Sequence, residues 1–77
     1  MVEMGKYRLS VVVEKDEAGY VARCLDLQGC YAQGGTYEEA IANVEEVIRL
    51  HVEDRLARGE PVPASSMVSL TTVEITV

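Results

Sequence analysis

Few residues in this chain have chemistry to offer. Cys24 and Cys30, with five residues between them, are its cysteines, and His51 is its single histidine. Glu14, Asp16, Glu17 and Asp26 supply acid in one short span. Paired zinc cysteines sit closer together than Cys24 and Cys30 and come in sets with further ligands, so this spacing does not predict a metal centre. Four carboxylates could hold two metal ions for phosphoryl transfer. Three of these, however, crowd one polar turn, where carboxylates are ordinarily solvated. His51 is the one candidate base, and nothing in the spacing ties it to a nucleophile. It reads as a residue flanking an apolar helix stripe. Gly29, Gly34 and Gly35 precede Thr36 without a following lysine, which excludes a phosphate loop. They read as residues that turn a strand into a helix. The cysteines flank a short connection and could approach each other. Buried reduced thiols are the expectation, and a disulfide is geometrically open. The predicted site thus contains no catalytic residue, no metal and no cofactor.

Composition narrows the function classes further. The chain has 77 residues, enough for one domain over 1–77, and it contains neither Phe nor Trp. So short a chain has a marginal core, which argues for a homo-oligomer, a dimer or a tetramer. Thirteen acidic against seven basic residues give a net charge of -6. That balance disfavours nucleic acid, whose phosphates demand Lys and Arg. It disfavours an anionic membrane surface as well and favours a basic partner protein. The N-terminus lacks the apolar middle of a signal peptide, and no long apolar run follows, so a cytoplasmic location is expected.

The elements that must position these residues follow from periodicity. Tyr7, Leu9, Val11 and Val13 alternate with Arg8, Ser10, Val12 and Glu14, which predicts a strand with one buried face. Lys15–Gly19 reads as a polar hairpin connection and Tyr20–Cys24 as a second strand. Leu25–Gly29 reads as a tight connection and Cys30–Gln33 as a short third strand. Thr36 and Glu39 fit a capping box that opens a helix over Tyr37–Arg58. Its apolar stripe is Ile41, Val44, Ile48 and Val52, widened by Ala40 and Val47. Glu45–Arg49 and Asp54–Arg58 are expected ion pairs. Gly59 and Pro61 end the helix. After a connector over Pro61–Ser66, Met67–Val77 is rich in Val, Thr and Ile and reads as a final strand. Its apolar phase flips. Val68 and Leu70 share one parity, and Val73, Ile75 and Val77 the other, so its halves are expected to meet different surroundings, the first half packing on the chain's own helix and the second half meeting another subunit. The predicted order is β-β-β-α-β: an α+β domain with a small antiparallel sheet and one long helix.

The run Asp16-Glu17-Ala18-Gly19-Tyr20, the connection Cys24-Leu25-Asp26-Leu27-Gln28-Gly29-Cys30, the helix opening Gly34-Gly35-Thr36 with Glu38-Glu39-Ala40 and Asn43, and the exit Gly59-Glu60-Pro61-Val62-Pro63 stand in this order. Together they resemble the HicB-like antitoxin family over nearly the whole chain. The resemblance implies an incomplete ribonuclease H-like arrangement of three strands, a helix and a fourth strand. It also implies a small, basic, mRNA-cleaving HicA-type toxin as partner. Leu25 and Gln28 replace two prolines usual in the connection, and Gly35 stands where aspartate is common. Family members usually continue into a DNA-binding domain, whereas this chain ends at Val77, so operator binding does not carry over.

The predicted function is therefore neutralisation of such a toxin by protein–protein binding, without catalysis. A solitary oligomeric binding or scaffold module is the alternative. The surface expected to meet the partner is Glu14, Asp16, Glu17, Asp26 and Gln28, and charge reversal at Asp16, Glu17 and Asp26 is its natural test. Gly19, Gly29, Gly34, Gly35, Thr36 and Glu39 are the expected turn and cap residues.

Overall fold

The computed structural model describes residues 5–64 and 68–77. Three strands and a helix follow one another: β1 (Val11–Asp16), β2 (Gly19–Cys24), β3 (Tyr31–Gly34) and α1 (Tyr37–Ala57). The strands form one antiparallel sheet in the order β1-β2-β3, and α1 lies across one face. The architecture is α+β, with the expected order β-β-β-α.

Alternation explains the faces. Val11 and Val13 of β1, Tyr20 and Ala22 of β2 and Ala32 of β3 pack with Ala40, Val44 and Ile48 of α1. Val12, Glu14, Val21, Arg23, Tyr31 and Gln33 have the opposite parity and form the uncovered face. Full burial of Val44 contributes about 1.5–3 kcal/mol. A second cluster of Cys24, Leu27 and Cys30 packs with Leu9, Val47 and Ile48.

Close approach of helix and sheet depends on missing side chains. A Cβ on Gly34 would collide with the backbone nitrogen of Ala40 and lie 2.8 Å from the carbonyl carbon of Glu39. Gly19, at φ +141, faces a similar limit, since its Cβ would lie 2.7 Å from the Gly34 carbonyl oxygen. Thr36 caps α1: its hydroxyl accepts from the Glu39 N–H at 3.0 Å, and the Glu39 carboxylate accepts from the Gly35 N–H at 3.3 Å. Gly59, in the left-handed region, follows the C-cap Arg58.

Several expected boundaries move. β1 begins at Val11 rather than Tyr7, because Asp26 takes the Ser10 N–H at 2.8 Å and Tyr7 and Arg8 are exposed. β1 and β2 approach to a two-residue loop, Glu17-Ala18, in place of a five-residue connection. β3 starts one residue late, at Tyr31, although the Cys30 carbonyl accepts from the Cys24 N–H at 2.9 Å in the same register. Arg49 pairs with Glu46 at 3.1 Å rather than with Glu45, while Arg58 and Asp54 pair at 2.7 Å as expected.

The largest departure is the final strand expected over Met67–Val77. Met67, like Ser65 and Ser66 of the connector, lies outside the described residues. Residues 68–77 form no strand, and among the described residues no backbone hydrogen bond joins them to the sheet. Val68 and Leu70 were expected on the chain's own core. Instead Leu70 is 85% exposed, and Val73 and Ile75 are 69% and 73% exposed. A strand has no hydrogen bonds of its own, so strand-forming residues remain unpaired until a neighbour supplies them.

Candidate partner-binding surface

The expected surface divides between the two ends of the sheet. At the hairpin end, one Asp16 carboxylate oxygen accepts from the N–H groups of Ala18 (2.8 Å) and Gly19 (3.0 Å). This is a local turn clamp, the role short acidic side chains fill at tight turns. Glu17 occupies the exposed tip and has no ion-pair partner among the described residues. Glu14 lies on the uncovered face and pairs with Arg23 at 3.1 Å. Both side chains are mostly exposed, so this pair contributes about 0–1 kcal/mol and largely cancels the charge of Glu14. Lys15 reaches over the Tyr20 ring, 5.7 Å from its centre.

Asp26 and Gln28 belong to the other end. The register pairs Asp16 with Gly19 at the hairpin and Val11 with Cys24 at the far end, five steps or about 17 Å along the strands. Asp26 is half-buried and spends one carboxylate oxygen on the Ser10 N–H, a contact between residues sixteen apart in sequence. Gln28 and Gly29 are exposed in the turn between β2 and β3. The acids therefore do not converge on one point. Among the described residues, no three His, Cys, Asp or Glu side chains gather in a metal-holding group.

At the hairpin end lies a shallow groove of about 290 Å³, bordered by Asp16, Tyr20, Gln33 and Glu39. It adjoins the helix N-terminus, where Glu38 and Glu39 already complement the dipole. Its chemistry suits a cationic side chain better than an anion. Asn43, named in the helix-opening motif without a role, acquires one: its amide donates to the Gln33 carbonyl at 2.7 Å and fastens α1 to β3. The Cys24 and Cys30 thiols are free and buried. Burial pushes the Cys30 thiol above its ordinary range, and neighbouring Cys24 adds to the shift. A raised thiol is neutral and a poor nucleophile at neutral pH. His51 is half-buried on α1, and no helix among the described residues is long and apolar enough to cross a membrane.

Comparison with known proteins adds the family. A family model described as "HicB_like antitoxin of bacterial toxin-antitoxin system" matches residues 9–75. A UPF0150 protein of Synechocystis sp. is 43% identical over 63 residues, covering 80% of each chain. A UPF0150 protein of Thermoplasma acidophilum is 35% identical over 65 residues, 83% of this chain and 94% of its own. An uncharacterized 14.9 kDa protein in the rep-hol intergenic region of Haemophilus phage HP1 is 36% identical over 58 residues, 75% of this chain but 44% of the phage protein. No solved structure matches.

Proposed function

The chain belongs to the HicB-like antitoxin family, and from that premise we propose that it neutralises a small, basic, HicA-type mRNA-cleaving toxin by binding it. Membership implies a toxin partner; the observation that carries the choice is a family match over residues 9–75 in a chain of net charge -6. An acidic protein covering a basic RNA-binding face attracts its partner electrostatically and excludes RNA without catalysis. It acts in the cytoplasm, as a homo-oligomer, and touches no nucleic acid or membrane itself.

The toxin meets the hairpin end and the β2–β3 connection, through Glu14, Asp16, Glu17, Asp26 and Gln28. These residues divide the work. Asp16 and Asp26 hold backbone N–H groups, so reversing their charge would disturb the scaffold as well as the surface. Glu17, Glu14 and Gln28 are exposed and can be changed cleanly.

Co-purification at native expression level tests the reading. The expected result is a small basic protein at stoichiometric yield, lost as salt rises. A Glu14→Lys, Glu17→Lys, Gln28→Lys variant should bind that protein more slowly and with a flatter salt dependence. Unchanged neutralisation by this variant rules out the surface. A clean homo-oligomer with no companion overturns the antitoxin reading in favour of a solitary binding module.

A further inference from the structure

Two features that are unpaired among the described residues fit each other. The first is the outer edge of β1. The Leu25 N–H donates to the Ser10 carbonyl, which sets the phase: even-numbered residues of β1 direct their backbone groups toward β2. Val11, Val13 and Lys15 then direct theirs to the open edge. Beside this edge runs a trough of about 400 Å³. Val11, Val12 and Val13 form one wall, Val68 and Leu70 the other, with Leu25 and Tyr37 also lining it. Ser10 completes the lining, and among the described residues no charged one contributes.

The second feature is Thr71–Val77. From Thr72 onward its alternation is complete: Val73, Ile75 and Val77 share one face, and Thr72, Glu74 and Thr76 share the other, while Thr71 has the parity of the apolar set. Every apolar member is exposed. Such a strand suits the β1 edge, where Val11 and Val13 face the core and Val12 and Glu14 the uncovered side.

We infer that Thr71–Val77 of one copy adds as a fourth strand to the β1 edge of a second copy, reciprocally, forming a two-fold dimer by strand exchange. The contact is isologous, since each copy gives a tail and receives one. The uncharged trough identifies the occupant. A basic toxin would find no carboxylate among the described residues that line it, whereas Val73, Ile75 and Val77 find apolar walls. Exchange also pairs the β1 edge of each copy, an edge that otherwise invites uncontrolled pairing. The inference rests on the homo-oligomer reading above and specifies its interface.

Two variants on exposed residues test it by light scattering after size exclusion: a tail-blocked Val73→Asp, Ile75→Asp chain and a trough-blocked Leu25→Asp, Tyr37→Asp chain. Circular dichroism confirms that each is folded. The wild type is expected at twice the 8.4 kDa chain mass, or at a multiple of that pair, and each variant alone at the mass of one chain. An equimolar mixture of the two variants should recover a heterodimer, because one tail and one trough remain intact. A monomeric wild type at several hundred micromolar overturns this interface and the oligomer reading together. An oligomeric wild type whose tail-blocked variant is equally oligomeric overturns the strand exchange alone. Failure of the mixture to associate does the same, since it places both substitutions on one shared patch.

Discussion

Val44 and Ile75 are both β-branched, apolar and set in a regular pattern, yet Val44 is fully buried and Ile75 is 73% exposed. The difference lies in what each segment brings with it. Residues 37–57 close their own backbone hydrogen bonds as a helix, and the apolar stripe then needs only a face to lie on. Residues 71–77 have the pattern of a strand, and a strand takes its hydrogen bonds from a neighbour. Alternation specifies which side of a strand is wet. It does not specify which molecule lies on the dry side.

One chemical change made in both places gives the widest contrast. Val44→Asp buries a carboxylate without a partner and should cost more than about 4 kcal/mol, abolishing cooperative thermal unfolding. Ile75→Asp, in a sample dilute enough to hold separate chains, should leave the unfolding midpoint within about 0.5 kcal/mol of wild type. Equal loss of folding in both would show that the tail belongs to the core of its own chain.

The hairpin offers a smaller contrast between neighbours. Asp16→Ala releases two backbone N–H groups and should cost about 1 kcal/mol in urea unfolding, whereas Glu17→Ala should be neutral. A reversed order would transfer the structural role to the tip.

The mildest expectation concerns pH. With its native pKa raised, the Cys30 thiol holds its proton longer in the folded chain than in the unfolded one. The unfolded chain therefore loses that proton first as pH rises. Its contribution is constant below the ordinary thiol pKa of about 8.5 and is lost progressively above it, toward the raised native value. Thermal midpoints should fall above about pH 8.5, and Cys30→Ser should fall less. Parallel curves for the two would remove Cys30 as the cause.

Legibility in the sequence follows the range of the contacts. The helix was readable because cap, stripe and terminator are local: Thr36, Glu39 and Gly59 act within a turn of the ends they define. The hairpin was readable for the same reason, although its loop was drawn too long. The start of β1 was not, since it depends on Asp26 reaching Ser10 across sixteen residues. The same contact divides the candidate surface. Composition placed Glu14, Asp16, Glu17 and Asp26 in one acidic group, and register separates the hairpin acids from Asp26 by the length of a strand. Asn43 was legible as part of the helix-opening motif but its role was not, because its partner is a backbone carbonyl on another element.

The smallness of the core has a thermal consequence. Among the described residues its buried apolar members are Ala22, Cys24, Leu27, Cys30, Ala40, Val44 and Val52, with no aromatic ring among them. Leu25, Tyr31, Tyr37 and Leu50 already meet water in the folded chain, as does the tail. Unfolding a separate copy therefore newly hydrates little hydrocarbon, and its heat-capacity increment falls below the usual ~12–15 cal/mol/K per residue. A small increment flattens the curve of stability against temperature, so a lone copy is modestly stable over a wide thermal range rather than strongly stable in a narrow one.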